Sequence, residues 1–202
     1  MKNSKTFVFD IDGVLADFIL GFTTLAHQMY PSVAPYSTLQ QKTWGQFGGL
    51  SAYQEAEVWK EVMVSPYFWS ELESLATFSD YIRLGRLCEI ATVYFVTNRA
   101  GVDPIYQTKN WLQSQVIVSP NIIVSKYKGE CCRVVNATYA IDDKADNASC
   151  IAWNSMTTDG ITIPYLIDRP YNQYNDLIIG SKHVRRVKTL NEYLESCLEA
   201  CE

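Results

Sequence analysis

The chain is predicted to adopt an α/β fold, a mostly parallel sheet with crossover helices, and three observations carry that expectation. Segments 6–10, 91–96, 115–118 with 121–124, 138–141 and 163–167 are apolar and rich in β-branched or aromatic residues, and they alternate with stretches of helical spacing. Between the first two strands, residues 17–90 lack strand patterning but carry apolar residues at helical intervals, too long a stretch for a simple crossover. With 202 residues, 48% of them hydrophobic, the chain lies within the size range of one domain and can bury a sizeable core.

The first strand signal, Phe7-Val8-Phe9-Asp10-Ile11-Asp12-Gly13-Val14-Leu15-Ala16-Asp17, ends in two carboxylates spaced i, i+2, and Gly13 lets the chain turn directly after them. The carboxyl end of a strand is where open α/β sheets place their chemistry. Two acids gathered there repel unless a cation or a shared proton neutralises them, and oxygen ligands suit a hard ion such as Mg²⁺. A metal-assisted site is therefore expected at Asp10 and Asp12.

The next strand signal, Thr92-Val93-Tyr94-Phe95-Val96, stops at Thr97-Asn98-Arg99, where a hydroxyl and backbone N–H groups suit a phosphate oxygen. Upstream of the fourth strand signal stand Lys126 and Lys128. Lys128 is favoured because Lys128-Gly129-Glu130-Cys131-Cys132 opens a helical segment, with Lys126 close enough to compete. The strand ending Tyr139-Ala140-Ile141-Asp142-Asp143 supplies paired aspartates. Taken singly these features are a helix cap, a surface charge and a solvated turn; their order at successive strand ends turns them into one site.

These four pieces together resemble the motifs of the haloacid dehalogenase superfamily, and the resemblance implies a Rossmann-like parallel sheet with a small helical cap inserted after the first strand. The core would comprise residues 1–16 and 77–202, and the cap residues 17–76. The likeness narrows to the 5'(3')-deoxyribonucleotidase family, including its bacterial and phage-like members, through Ser65-Pro66-Tyr67-Phe68-Trp69-Ser70-Glu71-Leu72, Tyr165-Leu166-Ile167-Asp168-Arg169-Pro170-Tyr171-Asn172 and Arg186-Val187 before Leu190-Asn191-Glu192-Tyr193-Leu194. Two departures stand out: Lys144 follows the paired aspartates where Arg is frequent, and Thr97-Asn98-Arg99 replaces a Thr-Ser or Thr-Ala form.

What the resemblance implies is a Mg²⁺-dependent phosphomonoesterase that hydrolyses (deoxy)ribonucleoside monophosphates through an aspartyl-phosphate. Asp10 would be the nucleophile and Asp12 the acid and base. Thr97, Asn98, Arg99 and Lys128 would hold the substrate phosphate. Asp10, Asp12, Asp142 and Asp143 would form the metal shell, with Asp143 favoured as the direct ligand. In the cap, Phe18 and Trp44 are expected to clamp the base, Trp44 beside Gly45 in a Gly-rich loop, whereas Phe22, Phe47, Trp59 and Tyr67-Phe68-Trp69 are ordinary candidates for cap core. The alternatives are a phosphatase of another small phosphomonoester or of nucleic-acid ends, and a catalytically inactive nucleotide-binding module.

A net charge of −5 argues against nucleic acid as a polyanion partner, and the cluster Lys182-His183-Val184-Arg185-Arg186-Val187-Lys188 reads as a solvated strip. No segment reaches the length of an apolar membrane span, and a strand so near the N-terminus leaves no room for a leader, so a cytoplasmic protein that avoids the membrane is expected. A homodimer is left open. The six cysteines show no zinc spacing and are expected to be reduced and mostly buried, with Cys197 and Cys201 the ones expected to reach solvent.

Overall fold

The computed structural model describes residues 5–155, 162–173 and 183–202. Lys182 of the basic cluster and residues 1–4 lie outside that set. Six strands form one parallel sheet in the order β3-β2-β1-β4-β5-β6, where β1 is Thr6–Phe9, β2 Thr92–Thr97, β3 Asn121–Val124, β4 Tyr139–Asp142, β5 Ile163–Ile167 and β6 Arg185–Val187. The central strand β1 pairs with both β2 and β4, with Phe9 opposite Phe95 on one side and Ile141 on the other. Its residues Phe7, Val8 and Phe9 are buried, as befits a strand covered on both faces.

The helices are α1 (Phe18–Met29), α2 (Ala52–Val64), α3 (Phe78–Ile90), α4 (Pro104–Ser114), α5 (Lys128–Val134), α6 (Ala145–Ser155) and α7 (Leu190–Glu199). Capping residues set several starts: Ser51 and Thr77 each accept from the N3 backbone N–H while the N3 side chain, Gln54 or Asp80, reaches back. Helix α3 packs with β2 and α7, whereas α1 packs with α2. The chain leaves and re-enters the sheet side by side, because Asp17 N–H donates to Glu73 O (2.8 Å) and Leu75 N–H to Leu15 O (2.7 Å). No helix among the described residues is long and apolar enough to cross a membrane.

Two expectations are corrected. Segment 115–118 is the closure of α4, not a strand. Ile117 N–H donates to Leu112 O (3.0 Å) and Val116 N–H to Gln113 O (3.1 Å), with Val116 at φ 62°, the pattern of a Schellman cap in which the apolar residue after the turn plugs the core. Ile117 is that plug, and its β-branched neighbours face solvent. Among the cysteines, Cys197 is buried, since it shares the inward face of α7 with Leu190, Tyr193 and Leu194, and it is Cys88 and Cys150 that are exposed.

Candidate active site

Three neighbouring strands deliver their last residues to one edge of the sheet. Asp10 follows β1, Thr97 ends β2 and Asp142 ends β4, so parallel pairing alone brings together residues far apart in the chain. Lys128, the first residue of α5, points into this cluster. Its Nζ lies 2.5 Å from Asp10 Oδ2 and 2.7 Å from Asp142 Oδ2, which makes Lys128 and not Lys126 the buried lysine of the site. Asp142 is held further by Asn147 Nδ2 (3.0 Å and 3.1 Å) and by the Lys144 N–H (2.9 Å). The Ile11 N–H fixes Asp10 through Oδ1 (2.6 Å).

Asp10, Asp142 and Asp143 each offer a carboxylate oxygen within 4.8 Å of the others, and all three are buried. Burial pushes the Asp10 carboxyl well above the usual range; Lys128 opposes this, while Asp142, Asp143 and Asp12 add to it. Asp143 is likewise raised, first by burial and then by Asp142. Burial alone would lower the Lys128 ammonium, but Asp10 and Asp142 hold it protonated above the ordinary lysine value. Three buried acids thus share one buried ammonium, and the residual repulsion calls for a further cation or for protons.

That residual charge has a place to go. Asp143 Oδ2 accepts from the Tyr171 hydroxyl, whereas Asp143 Oδ1 is buried with no hydrogen-bond partner among the described residues. An orphaned carboxylate oxygen beside a second buried carboxylate matches a hard divalent cation, so these residues fit Mg²⁺. Asp142 has its oxygens taken by Lys128, Asn147 and Lys144. Gly13, at φ +87°, lies so close that a Cβ there would collide with the Asp143 carboxylate and the Tyr171 hydroxyl. Behind it, Arg169 Nε donates to Gly13 O (2.7 Å) and Asn172 Nδ2 to Asp143 O (2.8 Å), tying the segment after β5 to the turn after β1.

Asp12 points elsewhere. Its carboxylate accepts from Arg99 Nη2 (2.8 Å), from Arg99 Nε (3.1 Å and 3.2 Å) and from Thr97 Oγ1 (3.0 Å), so its side chain stands apart from the three-acid cluster. Thr97 and Arg99, expected on the phosphate, are buried and absent from the cavity wall, because both are engaged with Asp12.

Above the cluster opens a cavity of about 380 Å³ lined by Asp10, Asp12, Asn98 and Lys128 at one end and by Phe18, Trp44, Phe47, Trp59 and Trp69 at the other. Phe18 lies 5.6 Å from Trp59 and 5.7 Å from Trp69 in near-parallel stacks and is only 5% exposed, so it is mainly a brace for the wall. Trp44 is 38% exposed, with its ring 5.3 Å from Tyr171 and the Lys144 ammonium 3.7 Å from its centre. Both rings of the expected pair line the cavity, Phe18 nearly buried in its wall and Trp44 the more exposed. Lys126, the competing candidate for the phosphate lysine, also lines the cavity, and the residues not anticipated here are Tyr171, Asn147, Lys144 and Glu55. Of these, Glu55 sits one helical turn before Trp59, a spacing that puts both on one face of α2.

A fold built on this pattern has known counterparts. A HAD family hydrolase from Deinococcus radiodurans R1 aligns over 98% of this chain and 96% of its own, with TM-score 0.57 and 9% identity. A haloacid dehalogenase-like family hydrolase from Xanthomonas campestris covers 100% and 94% (TM-score 0.55, 11% identity), and a hydrolase from Pseudomonas syringae 95% and 99% (0.52, 14%). No curated protein sequence matches the chain. The family model described as 5' nucleotidase, deoxy (pyrimidine), cytosolic type C protein matches residues 4–183. With its sheet, its acidic strand ends and that match over most of its length, the chain belongs to this 5'-nucleotidase family and is a phosphoric monoester hydrolase with a haloacid dehalogenase-like fold.

Proposed function

We propose that the protein is a Mg²⁺-dependent nucleotidase that hydrolyses (deoxy)ribonucleoside monophosphates through a phosphoryl group carried on Asp10. The observation that carries this reading is the single cavity whose floor is Asp10 with Lys128 and whose wall is aromatic. Its volume of about 380 Å³ suits a small ligand, and an aromatic wall suits a planar base. The family description names deoxy and pyrimidine nucleotides, and the Deinococcus structure holds phosphate and sodium.

Asp10 and Asp143, with the Asp12 backbone carbonyl, would hold the metal, which when bound supplies charge compensation for the phosphate and the buried acids. An Asp10 oxygen forms a bond to phosphorus as the bond from phosphorus to the sugar oxygen breaks. Asp12 gives its proton to the departing sugar oxygen. It then takes a proton from the water whose oxygen attacks the same phosphorus, which breaks the bond to Asp10 and frees inorganic phosphate. Lys128 and Asn98 hold the phosphoryl oxygens throughout, and residues 17–76 act as the cap, entering and leaving through the paired 15–17 and 73–75 segments. A cytoplasmic location accords with the family description.

Phosphate release measured over purine and pyrimidine nucleoside monophosphates, sugar phosphates and 3'-phosphorylated oligonucleotides, with and without Mg²⁺, tests the proposal. Mononucleotides should lead, and only with the metal present. Preferential release from oligonucleotide ends would favour the alternative substrate class, and no release from any of them would favour an inactive nucleotide-binding module.

A further inference from the structure

Arg99 is a buried cation that the proposed chemistry leaves unused, and its surroundings give it no freedom. Its side chain has 0% exposure. Nη1 donates to Trp69 O (3.2 Å) and to Thr108 Oγ1 (3.2 Å), and the guanidinium lies 5.1 Å from the Trp69 ring and 5.6 Å from the Trp111 ring. Those anchors are anchored in turn. The Gln107 Oε1 accepts from the Trp69 N–H (2.9 Å), the Trp69 indole N–H donates to Ala100 O (2.8 Å), and the Trp111 indole N–H donates to Leu72 O (2.7 Å). What remains of the guanidinium, Nε and Nη2, meets the Asp12 carboxylate in the two-pronged arrangement that fixes a carboxylate's plane as well as its place.

We infer that Arg99 is the positioning residue for the acid-base carboxylate of Asp12, and that it ties that carboxylate to the segment 65–72 that leaves the helical insertion. The inference rests on Asp12 serving as proton donor in the proposed reaction. Trp69 gives the tie its functional sense. Its carbonyl holds Arg99 while its ring stacks on Phe18 in the cavity wall, so the wall that meets the substrate and the group that protonates the leaving oxygen share one rigid support. Lysine could keep the charge at this position but not the plane, since an ammonium offers a point charge where the guanidinium offers a fork.

The test is leaving-group dependence, which a merely structural role does not move. Phenyl phosphate has a poor leaving group that needs a proton, p-nitrophenyl phosphate a good one that does not, and neither carries a base for the aromatic wall. With Mg²⁺ present, Arg99→Lys should lower kcat/KM on phenyl phosphate about ten- to a hundredfold more than on p-nitrophenyl phosphate, a part of what general acid catalysis contributes. Thr108→Val, which removes one anchor of Nη1 at constant volume, should shift the ratio in the same direction by less, and it decides the matter if Arg99→Lys does not fold. Equal losses on both esters, or an unchanged ratio in a folded variant, overturn the inference. A wild-type protein that hydrolyses both esters but no nucleotide overturns the nucleotide reading alone, and one that hydrolyses nothing overturns both.

Discussion

The Tyr171 hydroxyl donates to Asp143 Oδ2 while the Tyr171 ring lies 5.3 Å from that of Trp44, so one tyrosine touches both the acidic cluster and the most exposed ring of the cavity wall. Asp143 Oδ1 has no hydrogen-bond partner among the described residues, and the contact through Oδ2 depends on the turn at Gly13 having no side chain.

Gly13→Ala should therefore disturb the acidic cluster from outside it. The positive φ of +87° and the collision with Asp143 and Tyr171 add to one another, for an expected loss of about 1–3 kcal/mol from the backbone conformation alone. Chemical denaturation with and without Mg²⁺ checks this. The variant should be less stable and should gain less from the metal than wild type. Wild-type stability with a full response to Mg²⁺ would show that the turn has room to spare.

Asp10 and Asp143 titrate above the usual carboxylate range because they are buried. A folded pKa raised above the unfolded one gives stability that is present below the unfolded value and lost as pH rises through the folded value. Metal-free protein should accordingly lose stability as pH rises above the ordinary carboxylate range and these two groups ionise, and Mg²⁺ should restore it most on the high-pH side of that loss. At a hundred times its Kd the ion contributes about 2.7 kcal/mol, roughly 5–10 °C in Tm for a chain of this size. Asp143→Asn should raise the metal-free Tm at neutral pH and abolish the increment from Mg²⁺. Identical melting curves with Mg²⁺ and with excess chelator at every pH would contradict the proposed ligand set.

Trp44→Ala separates base recognition from phosphate chemistry. Stacking on a base contributes about 1–3 kcal/mol, so kcat/KM on a nucleoside monophosphate should fall about five- to a hundredfold further than on p-nitrophenyl phosphate. The Lys144 ammonium now occupies a face of this ring and would have to move for a base to stack there. Equal losses on both substrates would make Trp44 a structural part of the loop.

The parallel sheet and the acidic strand ends were legible because they are local patterns: an apolar run closing on Asp10, Thr97 or Asp142 announces both its strand and the edge where its last side chain emerges. Val116-Ile117-Val118 misled for the same reason, since β-branched residues look alike in a strand and in a helix closure, and only the hydrogen bonds back to Leu112 and Gln113 tell them apart. The partners of the acids could not be read locally. Nothing near Arg99 in sequence discloses that its guanidinium spans to Asp12, nor does Tyr171 reveal Asp143, because each contact closes a loop of chain through the tertiary fold. Phe18 shows a third limit: an aromatic eight residues past Asp10 suggests a ligand clamp, while the stacking rings of Trp59 and Trp69 come from two other segments.

The most direct test is to mix the protein with Mg²⁺ and a deoxyribonucleoside monophosphate in a single turnover, quench with acid, and weigh the peptide that contains Asp10. A phosphoryl group should appear on Asp10 and decay as phosphate is released, and Asp10→Asn, folded to the same degree, should show neither the adduct nor turnover. Phosphate release by Asp10→Asn at the wild-type rate, or full turnover in the wild type with no phosphorylated peptide at any time, would contradict nucleophilic attack by Asp10.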